Sequence, residues 1–276
     1  MKEAALIETP PMVKGEESPS IRELYDLTGK VALITGGAGQ LADQLASGLA
    51  EAGAELIFTD VREDTLESRY KEYRKKNFKV SYFAAELTDH CSVARMFDNI
   101  KARHQKLDIL INNGGKTYFM PLEKMKPEEF LEILDVHLKG SFMMVQNALP
   151  LMKASGGTII NIGSIYGMVG ADQSIYGDSG INSSVAYAAA KGGMINFTRY
   201  LASYLAEYNI RVNCISPGGF YAGQDQTFVD RYSSKTPLGR MGDDYDLKGV
   251  GVFLASNAAK YITGINLPVD GGWTAR

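Results

Sequence analysis

Seven short runs of apolar, β-favouring residues recur along the chain, each followed by a longer amphipathic stretch, and this alternation restricts the architecture more than any other feature. The runs are VALIT (31–35), ELIFTD (55–60), VSYFAA (80–85), LDILIN (107–112), GTIINIG (157–163), IRVNCIS (210–216) and INLPVD (265–270). Helix-like stretches fall between them, at roughly 40–52, 62–76, 90–105, 127–153, 187–208 and 244–256. Strands that are apolar on both faces and separated by helices must be covered on both sides, which predicts a parallel sheet. The expected fold class is α/β: a single Rossmann-type doubly wound parallel sheet of about seven strands with helices on both faces. Its crossovers are right-handed, and ligands bind beyond the carboxyl ends of the strands. No repeat or linker interrupts the pattern, so residues 29–276 read as one domain. Residues 1–28 read as an N-terminal extension with a short helix near Ser20–Tyr25.

Composition narrows the partners. The chain has 276 residues, 45% hydrophobic and 22% charged, with a net charge of -3. There is no polybasic surface to attract nucleic acid or anionic lipid, and no apolar run long enough to span a membrane. The first twenty residues are charged, carry Pro10 and Pro11, and lack the apolar core of a secretory signal. Cys91 and Cys214, far apart and without a CxxC, read as reduced, buried thiols of a cytoplasmic protein. His90, His104 and His137 show no metal-binding spacing, so no metal is expected. The expected partner is a small-molecule substrate.

The first run leads directly into TGGAGQLA (35–42) and then into an amphipathic stretch. A glycine turn between a first strand and a first helix lets backbone amides approach a pyrophosphate at the positive helix end, with Gly36 and Gly39 as the candidates. The same glycines could form a tight turn with no ligand. Asp60, which closes the second run, strengthens the ligand reading: a carboxylate there accepts hydrogen bonds from adenosine ribose hydroxyls. It would repel the extra phosphate of NADP by at least ~1 kcal/mol even in high dielectric, so NAD is the expected cofactor. Arg62 could bind a phosphate, but is expected on the solvated face of the next helix.

Tyr187 and Lys191 stand i, i+4 in AYAAAKGG, on one face of an alanine-rich helix. A phenol titrates near ~10, and a neighbouring ammonium is expected to lower that value. Ser164, just past the fifth run, could hold a substrate oxygen during proton transfer. In a chain with fifteen tyrosines the YxxxK pattern alone carries little weight. Its position, downstream of a serine at a strand end of a dinucleotide-type sheet, carries more.

Taken in order, TGGAGQLA, Asp60, NNGG (112–115), GSIYG (163–167), YAAAK (187–191), SPGG (216–219) and VDGG (269–272) resemble the short-chain dehydrogenase/reductase family over residues 29–276. The resemblance implies that Tyr187 is the general acid/base, that Lys191 binds the nicotinamide ribose and tunes Tyr187, and that Ser164 orients the substrate. It implies a cofactor site at Gly36, Gly39, Gln40, Leu41, Asp60, Glu86, Leu87, Asn113, Gly114, Tyr187, Lys191, Pro217, Gly218 and Phe220. Asn112 would line the adenosine half and stiffen the sheet, and Ile215 would lie near the carboxamide. His137 stands where the family has the asparagine of its catalytic tetrad, which acts largely through its main-chain carbonyl, and it is kept in the catalytic set.

Other departures concern the substrate. Gln40 and Ala42 replace glycines of the usual turn, and Ala222 stands near a common threonine. Ser164 and Tyr187 are about ten residues further apart than is usual in the family, the extra piece lying within 171–184. That insert, together with the segment 219–236 bearing Gln224, Asp225, Gln226, Asp230, Arg231 and Lys235, is expected to form a polar, gated pocket above Ser164 and Tyr187. The pattern is similar to a branch acting on sugars, including oxidoreductases of flagellin-modifying nonulosonic acid pathways. The expected function is NAD(H)-dependent interconversion of a secondary alcohol and a ketone on a sugar, sugar acid or other polyol. Reduction of 3-oxoacyl or other apolar ketones and a non-catalytic dinucleotide sensor are the alternatives. The resemblance also implies a homotetramer, which fits helices near 90–105 and 127–153 with apolar residues on more than one face, and the C-terminal indole of Trp273.

Overall fold

Strands β1 (Val31–Thr35), β2 (Glu55–Asp60), β4 (Ile109–Asn112) and β5 (Gly157–Ile162) are buried at nearly every position, as their unbroken apolar runs require. With β3 (Val80–Ala84), β6 (Ile210–Pro217) and β7 (Asn266–Val269) they form one parallel sheet in the order β3-β2-β1-β4-β5-β6-β7. The computed structural model describes residues 18–177 and 182–275. Pleating sends Ala32 and Ile34 to one face of the sheet, where they join Leu45, Leu49, Leu66 and Tyr73 in one core. Val31 and Leu33 go to the other, with Met96, Ile100, Met144 and Leu201. Each such side chain contributes roughly 1.5–3 kcal/mol by leaving water. Chain order reverses at β1, whose neighbours are β2 and β4, and a crevice at the strand carboxyl ends is expected there.

The covering helices are α2 (Gln40–Glu51), α3 (Glu63–Lys75), α4 (His90–His104), α5 (Pro127–Leu134), α6 (Gly140–Met152), α7 (Val185–Tyr204) and α9 (Lys248–Ala255). The stretch 127–153 is not one helix, because a π-helical turn, Asp135–Lys139, separates α5 from α6. A further helix, α8 (Gln226–Lys235), occupies the segment read as a polar loop. The short helix α1 (Ile21–Tyr25) carries a Ser20/Glu23 capping box. Residues 18–28 are more than an extension: Leu27 is 1% exposed in the core and its N–H donates to Ala52 O at 2.8 Å.

Two surface expectations change. Trp273 is buried within its own chain, stacked on Tyr232 with ring centroids 4.4 Å apart, so it creates no demand for a partner. Helix α4 is apolar on one face only, with Val93, Met96, Phe97 and Ile100 all turned inward. By contrast Leu131, Phe142, Tyr200 and Tyr204 leave large apolar surfaces exposed on α5, α6 and α7. Cys214 is buried as expected, whereas Cys91 is exposed in the first turn of α4. Among the described residues no helix is long and apolar enough to cross a membrane.

Candidate active site

At the reversal point β1 turns through Gly36, whose φ of 62° favours glycine and where a Cβ would stand 2.9 Å from Gly114 Cα. Gly39 then caps α2 without a side-chain hydrogen bond, so the first amides of the helix face outward at its positive end. The turn is tied to β4: Thr35 Oγ1 accepts from Asn113 N at 2.9 Å and Gly114 N at 2.7 Å, and Asn113 Nδ2 donates to Thr35 O at 3.0 Å. A cavity of about 950 Å³ opens beside it, and the predicted Gly36, Gly39, Gln40, Leu41 and Asp60 line it. So do Glu86, Leu87, Asn113 and Gly114.

Two neighbours differ from expectation. Asn112 is absent from that wall: it points into the sheet and donates to Asn161 Oδ1 at 2.8 Å, and Asn161 donates to Thr198 Oγ1 at 2.9 Å. It stiffens the sheet but lines no adenosine site. Arg62, expected on a solvated helix face, folds back onto Asp60, with Nε 3.2 Å from Oδ1 and Nη2 3.3 Å from Oδ2. It lines the same cavity. As the residue preceding α3 it is not yet committed to the helix surface, and the buried carboxylate attracts it.

Ser164 follows β5 and Tyr187 lies in the first turn of α7, where Ser184 caps the helix by accepting from Tyr187 N at 3.4 Å. Both line a second cavity of about 230 Å³. Packing around the Tyr187 phenol pushes it above its ordinary value, while a hydrogen bond with the Ser164 side chain works in the opposite direction. Lys191, one turn on, is 4% exposed, with Nζ 5.4 Å from the centre of the Tyr187 ring. Its ammonium donates to Ile162 O at 2.6 Å, and burial lowers it to about 8. The expected lowering of Tyr187 by Lys191 does not appear: burial dominates, and the ammonium is aimed at the Ile162 carbonyl. A phenol held protonated is suited to donating a proton, as ketone reduction demands.

His137 lies in the π-helical turn, a deformation that recurs at functional sites. Its Nε2 lies 2.8 Å from Lys116 O and 3.3 Å from Lys116 N, and the shorter contact to the carbonyl assigns the proton to that nitrogen. Nδ1 is then a buried acceptor with no partner among the described residues. The ring meets Tyr187 edge-on, centroids 5.5 Å apart and planes at 79°, and a Cβ on Gly115 would collide with it. Burial first, then the Lys191 charge, push His137 down to about 3. It is neutral at physiological pH and offers a lone pair. A group neutral when folded but protonated below about 6.5 when unfolded makes stability fall as pH drops from 6.5 toward 3. We expect His137→Asn to flatten the wild-type decline of melting temperature over that window; an unchanged slope would contradict it.

The remaining predicted residues divide. Gly218 and Phe220 line the smaller cavity, whereas Pro217, the last residue of β6, and Lys191 line neither cavity. The segment 219–236 is not a polar lid over the site. Of its named polar residues only Gln224 lines the smaller cavity, while Phe228 and Tyr232, i and i+4 on α8, turn inward. Gln226 and Asp230 bond each other at 2.7 Å on the exposed side. Within the insert, Ile175 and Tyr176 are buried in a cluster with Tyr232, Met241 and Trp273, and Lys235 pairs with Asp172. Positions 178–181 lie outside the described residues. Sequence reasoning missed Tyr166, Tyr176, Phe228 and Tyr232 as cavity walls; the i, i+4 aromatics of 226–235 were the available signal.

Comparison with known proteins fits this geometry. A family model described as enoyl-(acyl carrier protein) reductase matches residues 37–274. The 3-oxoacyl-(acyl-carrier-protein) reductase FabG of Thermotoga maritima is 34% identical over 251 residues, 89% of this chain and 98% of its own. A gluconate 5-dehydrogenase from Burkholderia cenocepacia, solved with NADP and tartrate, superposes with a TM-score of 0.85 at 31% identity, covering 92% of this chain and 99% of its own. A short-chain dehydrogenase from Leptospira borgpetersenii with bound NAD+ gives 0.82 at 37% identity, covering 96% and 100%. With the sheet order, the glycine turn and the serine–tyrosine–lysine cluster in one molecule, this chain belongs to the short-chain dehydrogenase/reductase family of oxidoreductases.

Proposed function

We propose that this chain is an NAD(H)-dependent oxidoreductase that interconverts a secondary alcohol and a ketone on a sugar, sugar acid or other small polyol. The observation that carries the reading is the Tyr187 phenol beside Ser164 on the wall of one small cavity, with Lys191 directly behind it. The dinucleotide cavity fits its cofactor: only a glycine at position 36 lets the turn lie close against Gly114 of the cavity wall, the uncapped start of α2 suits a pyrophosphate, and Asp60 suits ribose hydroxyls. When bound, the nicotinamide supplies or accepts the hydride. Ser164 holds the substrate oxygen, Tyr187 donates its proton to that oxygen in reduction and takes it back in oxidation, and Lys191 restores the phenol. His137 stands beside that pair, its ring meeting Tyr187 edge-on and its neutral Nδ1 able to accept a hydrogen bond.

Asp60 favours NAD, and Arg62 tempers the preference by holding a guanidinium against the carboxylate. The gap between NAD and NADP is expected to narrow by about fivefold or more in Asp60→Ala, the equivalent of ~1 kcal/mol of repulsion. Arg62→Ala is expected to widen it. Steady-state kcat/KM with both cofactors checks this, and a wild-type preference for NADPH would contradict it.

The exposed apolar residues of α5, α6 and α7 support a homotetramer, because such surface is costly in water. Light scattering at micromolar concentration is expected to give four chains; a monomer would contradict it. A cytoplasmic location is part of the same reading. The direct test of function is NADH formation across a panel of sugars, sugar acids and sugar alcohols, with turnover expected within it. Turnover confined to 3-oxoacyl ketones would favour the second reading, for which the aromatic walls of the small cavity speak.

A further inference from the structure

The smaller cavity has walls made of aromatic faces and a rim of hydroxyls, and no charged side chain. Tyr176 packs against Phe228 with centroids 5.6 Å apart, Phe228 leads to Tyr232 at 6.1 Å, and Tyr232 rests on Trp273. The Tyr166 and Tyr176 hydroxyls meet at 3.0 Å. Around the opening stand Thr117, Ser164, Ser183 and Tyr187. Among the described lining residues there is no Lys, Arg, His, Asp or Glu, and the sequence of positions 178–181, DSGI, contains no cation.

Of the cations nearby, Arg231 reaches Gly177 beside Tyr176 but is exposed and lines no part of the cavity, and the others are engaged. Lys116, next to Thr117, pairs with Glu132, and Lys235 pairs with Asp172. Arg240, next to Met241 of the wall, holds Asp246 at 2.6 Å, and Lys191 is bound to Ile162 O away from the cavity. A carboxylate or phosphate entering this space would lose its water without meeting a counter-charge, which is strongly unfavourable. A ring with apolar C–H faces and hydroxyl edges meets both kinds of surface, the faces against the aromatic planes and the edges against the phenols and hydroxyls. At about 230 Å³ the cavity is of a size to take one such ring.

We infer that this cavity selects an uncharged ring of monosaccharide size, such as a neutral sugar or cyclitol, and rejects carboxylated or phosphorylated counterparts of the same skeleton. The inference rests on the proposed placement of the reacting carbon beside Ser164 and Tyr187, and it narrows that reading by removing sugar acids. Matched neutral and anionic pairs on three skeletons test it: hexose against hexuronate, inositol against inositol monophosphate, and cyclohexanol against 4-hydroxycyclohexanecarboxylate. Each is measured as kcat/KM with NAD and as binding to the enzyme–NADH complex by calorimetry. The neutral member is expected to be favoured at least tenfold, and Thr117→Lys, which adds a cation to the wall, is expected to shrink that ratio at least tenfold. A wild-type preference for the anionic member on any skeleton overturns the inference while leaving the polyol reading intact. Neutral preference seen only on cyclohexanol upholds the inference and rejects the polyol reading. Binding of neither member of any pair overturns it.

Discussion

Tyr187→Phe is expected to lower kcat by a factor of 10² to 10⁴, the usual contribution of a positioned proton donor, with cofactor affinity almost unchanged. The phenol oxygen is the atom removed. The ring, which meets His137 edge-on at 5.5 Å, stays, so the packing of α7 against the π-helical turn is preserved. The glycine turn and Asp60 line a separate cavity and do not involve Tyr187. Titration with NADH by fluorescence and steady-state turnover together check this. Activity within threefold of wild type would remove Tyr187 from the chemistry.

Lys191→Met is the second large effect, and it separates activity from stability. Burial disfavours the charge and lowers the ammonium to about 8, below its ordinary 10.5. Below about 8 the wild-type site holds the charge that Tyr187 and the cofactor ribose are proposed to use; as pH rises through that value the charge is lost. The kcat/KM of wild type, which reports groups of the free enzyme, is therefore expected to fall as pH rises through about 8, an inflection absent from the variant. Turnover in the variant is expected to fall at least 10²-fold. The unfolded chain binds more protons than the folded one between about 8 and 10.5, so wild-type stability rises with pH across that window. Replacing the buried ammonium by an uncharged side chain of similar length removes its burial cost. The melting temperature of Lys191→Met at pH 7 is expected not to fall. A marked drop in stability alongside the lost activity would mean that Lys191 is chiefly structural.

The sheet was legible because both faces of its strands are covered, so burial imposes continuous apolar runs that differ in period from the helices between them. The serine, tyrosine and lysine were legible because strand-end position and i, i+4 spacing are properties of local sequence. What escaped depends on where a side chain points. In 226–235 the density of Gln, Asp, Ser and Lys suggests a loop, yet Phe228 and Tyr232 make an inward stripe and the polar residues simply face water. Arg62 could only be placed once Asp60 was known to be buried and within reach. Asn112 and Asn113 are adjacent, and strand alternation alone decides which bonds the sheet and which faces the cavity. The π-helical turn at His137 escaped because a single wide turn of five residues is too short to stand out as a change of period.

In the proposed reaction this chain moves hydride between a carbinol carbon and a nicotinamide while Tyr187 carries the proton. Mass spectrometry of the cofactor, after incubating the enzyme and NAD with a neutral ring polyol deuterated at its carbinol carbons, tests it most directly. One deuteron on the nicotinamide is expected for each ketone formed by wild type, with transfer slowed by a factor of about 10² to 10⁴ in Tyr187→Phe. Tight binding of NAD with no deuteron transferred from any member of the polyol, carbocycle and 3-oxoacyl alcohol series would contradict it and leave a dinucleotide-binding sensor in its place.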